Sequence, residues 1–457
     1  MITDKMYDLY WCLKIIETRT GDIILPYIQQ YDSIPLDKPA EKVAIVSRWI
    51  RTEWRPFFKE LRELRPVFPT PAFTLVTRYR DVVEVLSRPE VFSVRLYAPK
   101  MDPVVDGPFM LARDETSTNW VEKSIMRTML VPADLPLVRQ LAGKIADESL
   151  DRHAREGRIE VVRELGRLVP IRICGDYFGF PGPNLETMYR WSRATQSDMF
   201  KNLANEPVVH EASVRAGEEM RTYLSELLKK RRERDDRKGA HGTSATDCTE
   251  GPSQTGDIFE RLIRTEFALE IPFDDTRIIA NMAGLLIGAG ETTSQAIVQI
   301  CEQILRRPEV LEPALVAARS GDDTQFDAIV WEALRFNPIN PLLFRICERP
   351  TEIASSTDHA AVIPAGTVVF ACTSSAMFDE TAYPNPEEFN AQRPRDLNLH
   401  FGYGHHLCLG NLLGGVMVPE VVKRVLLRPQ VHLLPGDEGK IDYQNGPFPE
   451  RFVIAFG

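Results

Sequence analysis

The sequence predicts a mainly α-helical chain with a small β-rich lobe, and three observations carry that expectation. Helical apolar periodicity dominates from Asn119 through Lys230, Thr276 to Arg307 runs without a proline, and strand-like runs are short and confined to the region of Thr74 and to Ala361–Ala371. With 457 residues, 44% hydrophobic and 26% charged, the chain can bury a substantial core and has no signature of disorder. One domain over 1–457 is expected, with 1–70 an N-terminal extension that shows no motif.

Each element follows from local chemistry. Met1 to Gln30 interleaves Asp4, Lys5, Asp8, Lys14, Arg19 and Asp22 with apolar residues, which suits neither a signal peptide nor an anchor. Thr74 to Phe92 reads as a short strand and then a helix whose apolar face is Val82, Val83, Val85 and Leu86. Ser93 to Arg113, rich in Pro and Gly, is expected to be a long irregular loop. The charge run at 229–238 reads as a solvated helix end, and 239–256, which loses all periodicity, as a flexible surface loop.

Asp274 and Asp275 are good N-caps for the proline-free stretch after them, a helix of about 48 Å at 1.5 Å per residue. A helix that long and apolar must run through the core. Its uncharged part, Ile278 to Gly290, is too short to span a bilayer and is bounded by Arg277 and Glu291. Beyond Glu332 come the strand-like run 361–371, a Pro-rich meander from Asp379 to Arg395 and a glycine-rich segment at 402–410.

Charge and cysteine usage narrow the partners. Lys and Arg number 55 against 65 Asp and Glu, a net of −10, so the surface repels phosphate backbones and nucleic acid is not expected. Seven cysteines, at 12, 174, 248, 301, 347, 372 and 408, are odd in number and scattered with no CxxC, which fits a reducing cytoplasm. No membrane association is expected.

The chemistry concentrates in PheGlyTyrGlyHisHisLeuCysLeuGly, 401–410. Gly402, Gly404 and Gly410 let the backbone approach something flat and bulky, and Cys408 stands just ahead of a helix, where amide dipoles and nearby cations favour a thiolate. The ordinary reading of a lone cysteine, a small buried hydrophobe, holds for the other six. His405, His406 and Cys408 lack the spacing of a structural zinc site. The decamer resembles the haem-binding loop of the cytochrome P-450 family at every fixed position of FxxGxHxCxG. The resemblance implies that Cys408 is the axial thiolate to haem iron, that Phe401 packs beside the sulfur, that His406 reaches a haem propionate, and that Gly410 belongs to the same loop.

Independent segments carry the same resemblance. In TrpGluAlaLeuArg, Glu332 and Arg335 are three apart on one helix face. Alone they would be a surface pair worth a few tenths of a kcal/mol. In the family such a pair joins a meander arginine, and Arg393 stands at the corresponding place. On the long helix, GlyAlaGlyGluThrThrSer, 288–294, resembles the oxygen-activation segment, with Glu291 and Thr292 as acid and alcohol and Ala289 among the small residues that let a helix pass over a macrocycle. Gly288 and Gly290 lie mid-helix, which disfavours a dinucleotide fingerprint. Arg345 and Arg127 fall where the family places propionate-binding arginines, with Lys123 where a histidine is common. A departure follows the cysteine, where GlyGlyValMetValProGlu, 414–420, contains Pro419, which is expected to kink or interrupt the helix.

The resemblance implies the P-450 fold, with haem b (iron protoporphyrin IX) between the long helix and the Cys408 loop. It implies a monooxygenase that inserts one atom of O₂ into an apolar organic substrate, fed by a separate ferredoxin-type donor with its reductase. A peroxide-driven or oxidative coupling enzyme, or a non-catalytic haem-thiolate sensor, are the alternatives. The helical face of Thr292 suggests a substrate pocket of Asn281, Gly284, Leu285 and Gly288, completed by Leu342, Leu343 and Phe448, with Asn281 its amide handle.

Overall fold

The computed structural model describes residues 26–114, 117–202, 204–240, 256–267, 271, 273–444 and 446–457. Most of Met1–Gln30 and nearly all of the expected loop 239–256 lie outside them.

The chain opens with helices α1 (Tyr27–Ser33), α2 (Pro39–Thr52) and α3 (Trp54–Leu64). Trp49, Phe57, Phe58 and Leu61 are at most 1% exposed, and the rings of Tyr27 and Phe57 each lie 5.1 Å from Trp49. Residues that show no motif in the sequence therefore pack into the main core from residue 27 on.

The strands are β1 (Val67–Pro69), β2 (Phe73–Val76), β3 (Phe92–Ser93), β4 (Arg158–Glu160), β5 (Leu343–Cys347), β6 (Thr351–Ile353), β7 (Ala361–Ile363), β8 (Val368–Ala371), β9 (His432–Leu433) and β10 (Val453–Ala455). The largest sheet runs β1-β2-β8-β5-β3, with β2 parallel to β8 and β5 antiparallel to it, setting Arg345 opposite Val369. The run expected over 361–371 is two strands, because Pro364 and Gly366, at φ 77°, turn the chain between sheets.

The remaining helices are α4 (Tyr79–Ser87), α5 (Ala98–Val105), α6 (Ser117–Met129), α7 (Leu135–Arg152), α8 (Leu168–Asp176), α9 (Leu185–Gln196), α10 (Pro207–Ala240), α11 (Ile258–Arg264), α12 (Asp275–Leu305), α13 (Pro308–Ser320), α14 (Asp323–Phe336), the single turn α15 (Thr373–Ala376) and α16 (Asn411–Leu426). Helix α12 starts where the sequence places it, with the Asp274 side chain accepting from the Arg277 amide. It packs against α8, α9, α14, α16 and a π-helical segment, Val162–Arg167, so it is the axle of the fold.

Two expectations are corrected. Ser93–Arg113 is not an irregular loop, since α5 buries Met101, Val104 and Val105. Pro99 sits in its first turn, where no amide partner is required, Pro103 lies inside it, and Asp106 in the left-handed region closes it. Pro419 does not interrupt α16. The carbonyl four residues back, which a proline ring crowds, belongs to Gly415, a residue without a Cβ to add to the crowding.

Candidate active site

Helix α12 is buried along most of its length except at one strip. Gly288 is exposed, Gly284, Ala289 and Thr292 are partly so, and a Cβ built on Gly288 meets nothing within 4 Å. An exposed glycine in the middle of a core helix borders an internal space. Cys408 is also accessible, though it lies so deep that burial dominates its chemistry. Gly288 and Cys408 are thus accessible points on the two elements between which the sequence places a haem.

The loop is folded by its glycines. Gly402 and Gly404 have φ of 76° and 65°, and the Cys408 amide donates to the Phe401 carbonyl at 2.9 Å, closing the turn around the sulfur. The Phe401 ring packs on Trp331 at 5.1 Å and against Gly414, where a Cβ would come within 3.3 Å of it. Burial pushes the Cys408 thiol up, against the lowering pull of the Gly410 amide and Lys123.

Cationic groups surround the loop. Lys123 is buried and donates to the His405 carbonyl, its amine pushed down to about 8 by burial and by Arg127. His406 Nε2 lies 3.0 Å from Asp114 Oδ1, and burial pushes its imidazole down to about 4. Arg345 is buried on β5, where it donates to the Phe344 carbonyl at 2.7 Å. Among the described residues Arg345 makes no ion pair, and burial pulls its guanidinium down while Tyr97 and Asp114 oppose this. Arg127 is exposed on α6.

Glu332 and Arg335 form a two-pronged pair, Nη2 to Oε1 at 2.6 Å and Nε to Oε2 at 2.9 Å, and both are buried. Arg393 Nε adds a contact to Glu332 Oε1 at 3.3 Å, and the Asn390 amide donates to the same oxygen at 2.9 Å. Arg335 also caps the carbonyls of Met377, Pro386 and Glu388, tying α14 to the meander.

Glu291 and Thr292 point to different neighbours. Glu291 is 1% exposed and accepts from Arg193 Nε on α9 at 2.9 Å; burial raises its carboxyl, opposed by Arg193, Arg167 and Tyr189. The Thr292 hydroxyl donates to the Gly288 carbonyl at 2.6 Å, at the accessible strip.

The expected pocket residues divide. Gly288 is open, whereas Gly284 is covered by the Phe109 ring, 2.5 Å from where its Cβ would be. Asn281 is not the pocket's amide handle, because its side chain is enclosed and donates to Glu122 on α6 at 3.0 Å, beside the Glu122–Arg277 ion pair. Leu285 and Leu342 are buried, Leu343 is partly accessible, and Phe448 lies under the Arg193 guanidinium at 4.2 Å. Sequence reasoning missed Arg193, Asp114, Phe109 and Lys201, which no local pattern marks.

The cytochrome P450 family model matches residues 324–450, a stretch holding Glu332, Arg335, Arg345, Arg393 and Cys408. The match supports a bacterial-type cytochrome P450. Curated relatives extend the likeness. Cyclomarin C epoxidase of Salinispora arenicola is 27% identical over 79% of this chain and 83% of its own, and the steroid C26-monooxygenase of Mycolicibacterium smegmatis is 25% identical over 88% and 92%. Among solved structures, the cytochrome P450 CYP109Q5 of Chondromyces apiculatus superposes with a TM-score of 0.71 at 22% identity, covering 90% of this chain and 96% of its own, which shows the shared fold. The likeness supports an oxidoreductase whose cofactor is haem b. The site fits that group, with a thiol presented at one wall, a glycine-floored strip at the other and buried Arg345 with donors to spare for a carboxylate.

Proposed function

We propose that the chain transfers one atom of O₂ to an apolar organic substrate and reduces the other to water, drawing electrons from a separate ferredoxin-type carrier with its reductase. The haem, when bound, supplies the oxygen-activating chemistry. Cys408 would hold its iron, Arg345, Lys123 and Arg127 would neutralise its propionates, and His406 would reach one of them. Phe401 and Gly410 shape the loop around the sulfur, and Ala289 would border the macrocycle. Glu332, Arg335 and Arg393 hold the meander that supports the loop.

The observation that carries this reading is the accessible strip Gly288–Ala289–Thr292 on an otherwise buried helix, with a buried acid at the next position. Thr292, bonded back to Gly288, can turn its hydroxyl to orient a water without unfolding the helix. Burial raises the Glu291 carboxyl against the pull of its Arg193 partner, and so suits it to exchange protons through water. A chain that only sensed haem ligands would need neither group.

A screen for substrate-induced Soret shifts followed by turnover with surrogate ferredoxin, its reductase, NADH and ¹⁸O₂ tests the reading. One labelled oxygen in the product is expected. Product label drawn from water, or turnover driven only by added peroxide, would overturn it.

A further inference from the structure

A partly buried charge cluster lies where α9, α12 and the C-terminal segment meet, and among the described residues its charges do not balance. Arg167 and Arg193 both reach Glu450 at 2.6 Å, and Arg193 also holds Glu291. The third cation is Lys201, at the end of the π-helical segment Ser197–Lys201 that continues α9. Lys201 feels Glu291 but makes no ion pair among the described residues. Its amine donates to Asn340 Oδ1 at 3.0 Å and approaches the Ile339 carbonyl at 3.5 Å.

Three cations thus share two carboxylates, and the one left over is the amine. Buried charges are ordinarily paired, because an uncompensated one carries the full desolvation cost. Lys201 lies deep in the fold, yet its side chain keeps accessible surface, as do Asn340, Leu343, Gly288 and Thr292. Its neighbours are otherwise apolar. Phe448 lies 5.8 Å from the amine, and the preceding Phe200 begins a ring series through Tyr97 at 5.9 Å to Phe344 at 6.4 Å.

We propose that Lys201 reads the substrate, and that the preferred substrate is an organic monocarboxylate whose charged head sits on the Lys201 amine while its apolar body lies along the aromatic wall toward Gly288. This rests on the monooxygenase reading above and deepens it. A single negative charge neutralises the cluster, and a neutral ligand leaves the amine uncompensated. Burial, opposed by Glu291, pushes the Lys201 amine down to about 8, so its charge is present at neutral pH and lost as pH rises past that value. The titratable and charged groups around it are Glu291 from α12, Arg193 and Tyr189 from α9, Arg167 from the π-helical segment before α8, and Glu450 from the C-terminal segment.

The test compares matched pairs, dodecanoate with 1-dodecanol and 4-phenylbutyrate with 4-phenylbutanol, on the haem-loaded protein. Binding is read by calorimetry and by the Soret shift, so the preference is measured whether or not the protein turns over. In at least one pair the acid should bind about tenfold or more tighter than the alcohol at pH 7. Lys201→Met should reduce that ratio to about twofold, Lys201→Arg should preserve it, and raising the pH from 7 to 9 should weaken the acid alone. Equal or tighter binding of the alcohols, no binding of either acid, or an undiminished ratio in Lys201→Met would overturn the assignment. The ferrous carbon monoxide spectrum of each preparation reports haem ligation separately. A wild type lacking the red-shifted band defeats the monooxygenase reading, while a normal band without acid preference defeats this inference alone.

Discussion

Arg193 Nε donates to Glu291 Oε2 at 2.9 Å while its Nη1 holds Glu450 at 2.6 Å, so the acid of the long helix is clamped from α9 and from the C-terminal segment together. Thr292, the next residue, turns to the accessible strip and bonds back to Gly288. One residue of helix, about 100° of rotation, separates a proton reservoir from a water-orienting hydroxyl.

Exchange of either residue should have its own signature. Thr292→Ala should keep haem and substrate binding while NADH oxidation yields hydrogen peroxide at the expense of product. Glu291→Gln should slow turnover on the order of a hundredfold, since an amide cannot relay a proton. Coupling ratios and rates in the reconstituted system decide it, and wild-type values in both variants would leave the segment as ordinary helix.

Cys408→Ser should abolish the red-shifted Soret band of the ferrous carbon monoxide complex even where haem stays bound, because an alcohol does not replace the thiolate as an electron donor. Persistence of that band in the variant would remove Cys408 as the axial ligand.

Breaking the pair on α14 should be severe. Glu332→Ala leaves a buried guanidinium without its carboxylate, and Arg335→Ala leaves Glu332 only the Arg393 and Asn390 contacts and frees the carbonyls of Met377, Pro386 and Glu388. A loss of about 3–5 kcal/mol is expected for each, with little soluble haem-loaded protein. Arg335→Lys should recover only part of it, because an ammonium cannot make the fork. Normal haem content and thermal midpoint in the alanine variants would contradict this.

His400 supplies a pH dependence. Its ring is held to the Trp331 carbonyl at 2.9 Å, and burial pushes it down to about 4. Between pH 6.5 and 4 the unfolded chain therefore binds a proton that the folded chain refuses, so stability falls as pH drops through that window. The shift corresponds to roughly 3 kcal/mol at 1.36 kcal/mol per unit. His400→Gln retains a donor for the carbonyl and cannot titrate, so its urea midpoint should fall less between pH 7 and 4 than that of the wild type. Parallel curves would show that His400 is not a source of the dependence.

What the sequence by itself determined are the features written in contiguous residues. The turn at 401–410 follows from its glycines, the start of α12 from Asp274, and the proximity of Glu332 to Arg335 from helical spacing, because each is governed by interactions a few residues apart. Composition alone misread Ser93–Arg113 and Pro419, where Pro99, Pro103 and Pro419 lie within helices that the packing around them maintains. Tertiary structure alone decided that Asn281 turns to Glu122 rather than the pocket, that desolvation raises the Cys408 thiol against its nearby amide and cation, and that Arg193, Glu450 and Lys201 meet Glu291. Charge balance in a buried site sums over residues from distant parts of the chain, and only the fold brings them within reach of one another.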